Sequence, residues 1–132
     1  MRELTTHQVK GAQGDGTRIF VLDGPGQGGA CHRYAVGEFI YEPDEALASE
    51  AAEDALCFVG FQNGPIKEHG VNGVQNEHLL AIVVDRLECF QAGPFASEEN
   101  DEALQHVRDA LERLQKRTRD RIARGVEGHD KP

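Results

Sequence analysis

Apolar positions change their period partway along this chain, and the change divides it into a β-rich front and a helical back. From Thr17 the string TRIFVLD (17–23) is dense in β-branched and aromatic residues, as half-buried strands are. It stops at the Gly-Pro cluster GPGQGG (24–29) and is answered by ACHRYAVGEFIY (30–41), where Tyr34, Val36 and Phe39 are apolar. That order predicts an antiparallel hairpin or small meander. LCFVGFQ (56–62) predicts a further short buried strand, ended by the first of two Phe-Gln-x-Gly-Pro segments, FQNGPI (61–66). The intervening EPDEALASEAAEDA (42–55) is acidic and alanine-rich, and reads as a loop or a marginal helix at the sheet edge. GPIKEHGVNG (64–73) is a turn-rich connector.

From about Gln75 the spacing becomes helical. Leu79, Leu80, Val83, Leu87 and Phe90 recur three and four residues apart, with Asn76 and Glu77 suited to a first turn and Gly93-Pro94 to a stop. Ser97 then caps a second helix whose apolar positions Ala103, Val107, Ala110, Leu111, Leu114, Thr118 and Ile122 run to Gly125. The short QAGPFAS link forces the two helices into an antiparallel hairpin. The second helix is the longer, so its far end has no partner on the first. The fold class expected is α+β: a small N-terminal antiparallel sheet, then a C-terminal two-helix hairpin, in an oligomer. At 132 residues this is one domain, divided into a β-rich part (1–62), a Gly-rich connector (63–74) and the hairpin (75–128).

Composition narrows the chemistry. There is no Trp and there are only eight aromatics, six Phe and two Tyr, so each Phe matters locally. A net charge of −9 argues against a general nucleic-acid binder. Positive charge is nevertheless concentrated, because Lys116, Arg117, Arg119, Arg121 and Arg124 fall close together. Cys31, Cys57 and Cys89 are far apart and odd in number, which predicts reduced thiols. No window approaches the roughly 20 apolar residues of a membrane span, and no leader-like apolar segment opens the chain, so a cytoplasmic protein is expected.

Catalytic and cofactor motifs are weak. GPGQGG fits G-x-G-x-x-G, but ACHRYAV continues as strand where a dinucleotide loop must open a helix, so a hairpin turn is the better reading. His32 beside Cys31 has the wrong spacing for a metal pair, and no H-E-x-x-H occurs. Ser49 and Ser97 lie outside any nucleophile elbow. No enzyme activity, metal or cofactor is therefore expected. The arginines admit two readings: complement to a helix dipole, or an anion site. Arg113, Arg117 and Arg121 are spaced i, i+4, i+8 beside the apolar stripe, with Arg124 one turn on, and guanidiniums so placed can grip phosphates.

Residues 61–128, with FQNGP, HGVNG, FQAGPF, Glu99-Asn100 and RGVEG (124–128), resemble the helical hairpin domain shared by two families of phage counter-defence proteins. These are the Thoeris anti-defence sponges and the anti-CBASS cyclic-nucleotide sponges; the β-rich half resembles the former. The resemblance implies sequestration, without cleavage, of cyclic ADP-ribose isomers in the infected bacterial cytoplasm. It also implies cyclic di- or trinucleotides at a separate site in some members, and assembly as dimers or as hexamers built of three dimers. It assigns Phe90 to base stacking, Asn100 to a polar contact, and Arg117 with Arg121 to the diphosphate; Arg113 and Arg124, which rest on the arginine spacing alone, are lesser candidates. Asn100 and the arginines lie about 25–30 Å apart along one helix. The pocket expected is therefore shared between two subunits. The alternative is a phage structural or assembly protein whose hairpin only oligomerises, and a nucleotide hydrolase is a weaker third.

Overall fold

The computed structural model describes residues 1–12, 16–40 and 55–132. The acidic stretch 42–54, with Ser49, lies outside the described residues. Contacts divide the chain into two units: 1–64 with 71–73, and 65–70 with 74–132.

Among the described residues the first unit is a four-stranded antiparallel meander in the order β1 (Arg2–Leu4), β2 (Arg18–Val21), β3 (Arg33–Gly37) and β4 (Cys57–Gly60). The last three are the strands that the sequence predicts, but β4 is not buried as expected: as an edge strand it leaves Cys57 and Phe58 exposed and Val59 and Gly60 half-buried. Register places Phe20 opposite Ala35, and Ala35 opposite Phe58, so these side chains share a face. Phe20, Leu22, Ala35 and Phe39 form the core on it, with the rings of Phe20 and Phe39 stacked 5.3 Å apart. GPGQGG is the turn between β2 and β3, as expected, and Gly28 and Gly29 have φ of 74° and 82°. Asp23 closes that turn: its carboxylate accepts from the amides of His32, at 3.0 Å, and Arg33, at 3.1 Å.

β1 escaped the sequence reading because its three residues show too little alternation. It is fastened through charge: Arg18 Nε donates to Glu3 Oε2 at 2.7 Å, and the guanidinium also reaches Phe39 O and the Phe20 ring. The hydrogen bond from Arg18 holds the Glu3 carboxyl below its usual value of 4.5. A depressed folded pKa means that the contact stabilises above the unfolded pKa and is lost as pH falls through the folded one. In melting curves, Glu3→Gln is expected to lower Tm at pH 7, with the gap to wild type closing toward pH 3. An equal gap at both pH values would show that the pair contributes nothing.

The connector is more ordered than its turn signals imply. Asn63 N donates to Asn72 Oδ1, and Asn72 Nδ2 donates back to Asn63 O, both at 2.8 Å. Gln62 accepts from Asn72 N at 2.9 Å and donates to Gly64 O at 3.1 Å. These bonds draw 71–73 against the end of β4. A Cβ on Gly73 would meet the backbone of Phe61 at 2.4 Å and of Gln62 at 2.6 Å. Gly73→Ala is thus expected to destabilise by about 1–3 kcal/mol, read as a lower denaturation midpoint. An unchanged midpoint would mean that the segments do not approach this closely. Phe61 packs edge-on against Tyr34, with centroids 5.6 Å apart.

The second unit contains α1 (Ile66–His69), α2 (Asn76–Gln91) and α3 (Glu98–Ala123). The four-residue α1 lies within the predicted connector and is too short to carry a period. α2 and α3 form the expected hairpin, with 16 and 26 residues respectively. Ser97 caps α3, its Oγ accepting from Asn100 N at 3.0 Å. Gln91 braces the link, accepting from Ser97 N and donating to Ser97 O, both at 3.0 Å.

The seam between the helices follows a different phase from the one that the sequence spacing gave. On α2 the inward positions are Leu80, Val84, Leu87 and Gln91, while Val83 and Phe90 are exposed. On α3 they are Leu104, which is 4% exposed, then Val107, Leu111, Leu114, Thr118 and Arg121, whereas Ala103 and Ala110 are exposed and Ile122 is 62% exposed. Paired helices keep a 3.5-residue repeat along their seam, so the position after Thr118 is 121 and not 122.

Candidate functional site

Two of the four residues assigned by resemblance flank the hairpin link. Phe90 lies in the last turn of α2, 40% exposed, and Asn100 lies in the first turn of α3. Asn100 Nδ2 donates to Phe95 O at 3.4 Å, so its carboxamide lies over the link. Beside Phe90 is an open depression lined by Asp85, Arg86, Cys89 and Phe90. The Arg86 guanidinium lies over the Phe90 ring, 5.6 Å from its centroid. Sequence reading missed Arg86, although its i−4 spacing from Phe90 was a usable signal.

Arg117 and Arg121 lie in the C-terminal half of α3, about 25 and 32 Å along the helix from Asn100. One chain does not bring all four together. The two arginines also differ from each other. Arg117 is exposed and has no hydrogen-bond or ion-pair partner among the described residues. Arg121 is 7% exposed and sits in the seam stripe, not beside it.

What buries Arg121 is the chain that follows it. Gly125, with φ of 73°, lets α3 end in a Schellman turn, in which Val126 N donates to Arg121 O and Gly125 N to Ile122 O, both at 3.0 Å. The returning segment then wraps the side chain. Arg121 Nε donates to Glu127 Oε2, and Nη2 donates to Val126 O and His129 O, all at 3.0 Å; Nη1 donates to Lys131 O. Lys67 N in α1 donates to Gly128 O at 3.2 Å, tying that short helix to the same turn. Four of the five guanidinium N–H groups are thereby used. Arg124 donates to Pro132 O at 2.9 Å, while Arg113 is exposed with no partner among the described residues.

Charge is sorted between the faces of the hairpin. Successive helical residues turn by 100°, so Glu88 on α2 and Arg108 on α3 each lie about a quarter turn from the seam. Their ion pair, at 3.2 Å, shows that these flanks share one face. Arg119–Glu112 at 2.6 Å lies toward that side, and Lys116–Asp120 at 2.7 Å adds a further pair. The hydrogen bond from Lys116 holds the Asp120 carboxyl below its usual value of 3.8. The opposite flanks bring Val83, Arg86 and Phe90 of α2 onto one face with Ala110, Arg113 and Arg117 of α3. Its three arginines have no carboxylate partner among the described residues.

Among the described residues no three His, Cys, Asp or Glu side chains converge as a metal site. No described helix is long and apolar enough to cross a membrane. What the second unit presents is an exposed aromatic ring and unpaired guanidiniums on one face of a helical hairpin, which is suited to a flat, anionic ligand.

The architecture is that of a two-part α+β protein, a small antiparallel sheet followed by a helical hairpin. Residues 53–119 match the model of the Acb2/Tad1 hairpin domain, and the chain belongs to that family. It is 51% identical over 77 residues to Thoeris anti-defense 1 of Bacillus phage SBSphiJ7, covering 58% of this chain and 54% of that protein. The chain thus spans about half the length of that relative. The family match includes Phe90, Arg86, Asn100 and Arg117, and stops two residues before Arg121.

Proposed function

We propose that this chain is a counter-defence sponge that binds cyclic ADP-ribose-type signalling nucleotides in the infected cell and holds them without turnover. The observation that carries the reading is the exposed Phe90 ring on the face where the arginines lack carboxylate partners. A base stacks on the ring, and guanidiniums take the phosphates. The relative named for anti-defence against Thoeris supports the biological setting. In this reading the ligand lies between two subunits, with Phe90 and Asn100 of one facing Arg117 of an antiparallel mate, and Arg121 reaches the diphosphate only when the 126–131 segment that wraps its guanidinium opens. Arg113 and Arg124 border the site. The assembly is a dimer or a trimer of dimers, and cyclic di- or trinucleotides occupy a separate site.

The test is recovery of ligand. The purified protein is incubated with cyclic ADP-ribose and its ring isomers, washed, heated, and the released small molecules weighed by mass spectrometry. A sponge returns the intact mass. A hydrolysed product would make the protein an enzyme. No release and no thermal shift would leave the assembly-protein reading, which exposed Ile82 and Val83 on α2 favour because a second copy would cover them. In that case replacing Arg117 and Arg121 with Ala leaves function intact.

A further inference from the structure

We propose that Arg86 is an additional ligand-contacting residue and forms the second wall of the base site, opposite Phe90. The inference rests on the nucleotide-binding reading above and extends it to a residue which that reading does not use. Arg86 lies one turn before Phe90 on the same exposed flank of α2, and its guanidinium already covers the ring at 5.6 Å. Arg86 has no hydrogen-bond or ion-pair partner among the described residues, so its charge is directed only at the aromatic face. By contrast, Lys116, Arg108 and Arg119 each hold a carboxylate within 3.2 Å. Of the partnerless arginines on the hairpin, Arg86 alone lies over an aromatic ring.

The chemistry follows from geometry. A guanidinium is planar, permanently charged and stacks on π-systems. A base inserted between two flat partners needs about 7 Å, two stacking contacts of roughly 3.5 Å. The Arg86 side chain has the freedom to open its present separation by that small difference. Closed, it shields the ring; open, it caps the base on the side away from Phe90 and adds positive charge near the phosphates. Asp85 and Cys89 also line this depression.

The experiment compares wild type, Arg86→Ala and Arg86→Lys by calorimetric titration with cyclic ADP-ribose and its ring isomers. Melting temperature and sedimentation are recorded for each. Expected are a Kd at least tenfold weaker for Arg86→Ala, a smaller loss for Arg86→Lys, which keeps charge without the plane, and unchanged melting and assembly. Binding by Arg86→Ala within twofold of wild type, or tighter, overturns the proposal, because Arg86 would then only cover the ring. So does a change in sedimentation that accounts for the loss, since Arg86 would act through assembly. If wild type itself binds none of the probes, the nucleotide-binding reading fails and takes this proposal with it, an outcome distinct from the others.

Discussion

Arg121→Ala is expected to loosen the end of α3 whether or not ligand is present. Removing a buried guanidinium leaves Glu127 and the carbonyls of Val126, His129 and Lys131 without their shared donor. Breaking a buried charged network costs about 3–5 kcal/mol, and Glu127 is partly exposed, so the lower figure applies. A chain of this size should then melt about 10 °C lower, with faster hydrogen exchange at 126–131. Arg117→Ala, one turn earlier, should leave both quantities unchanged. If the two variants melt alike, the return of the chain over Arg121 is not a stabilising contact, and Arg121 is as free as Arg117 to hold phosphate.

The second large effect separates a shared pocket from a pocket within one chain. Loss of the Phe90 ring should weaken nucleotide binding by about 2 kcal/mol, roughly thirtyfold, and loss of the Arg117 guanidinium by a similar amount. Each variant alone assembles sites with one defect apiece. Mixed and allowed to exchange subunits, Phe90→Ala and Arg117→Ala chains form heterodimers in which one site carries both defects and the other carries neither. Random pairing then restores full affinity to about a quarter of all sites. Titration of the mixture should show that minor, tight class. Its absence, with exchange verified by mass, would place Phe90 and Arg117 in a single-chain site and remove the need for a mate.

Much of this architecture is legible in the sequence because the signals are local. TRIFVLD and LCFVGFQ announce strands by composition, Ser97 announces a helix start, and Gly93-Pro94 announces a stop. What stays hidden depends on partners distant in sequence. β1 is too short to show alternation and exists because Arg2–Leu4 pairs with β2. The seam phase is invisible to spacing alone, since α2 carries two apolar stripes and only contact with α3 decides which is buried. Arg121 shows the limit most clearly. As a residue type it belongs with the surface arginines, yet the turn at Gly125 brings the chain back over it. The clue was present in RGVEG, whose glycine permits the turn and whose glutamate supplies the counter-charge. Arg86 lay in plain view one turn from Phe90, but only the geometry shows its guanidinium on the ring.

The twice-written Phe-Gln-x-Gly-Pro segment has a practical consequence. In both copies the glutamine amide closes the loop that follows, Gln62 onto Gly64 and Asn72, Gln91 onto Ser97. These clamps are neutral, so neither acid nor ionic strength within the usual range weakens them. The surface ion pairs and any phosphate contacts behave otherwise, because 1 M salt shortens the Debye length to about 3 Å. On the sponge reading proposed above, concentrated salt should thus strip a charged guest from the hairpin while its joints stay closed, so that the emptied protein could be recharged with a different guest without a refolding step.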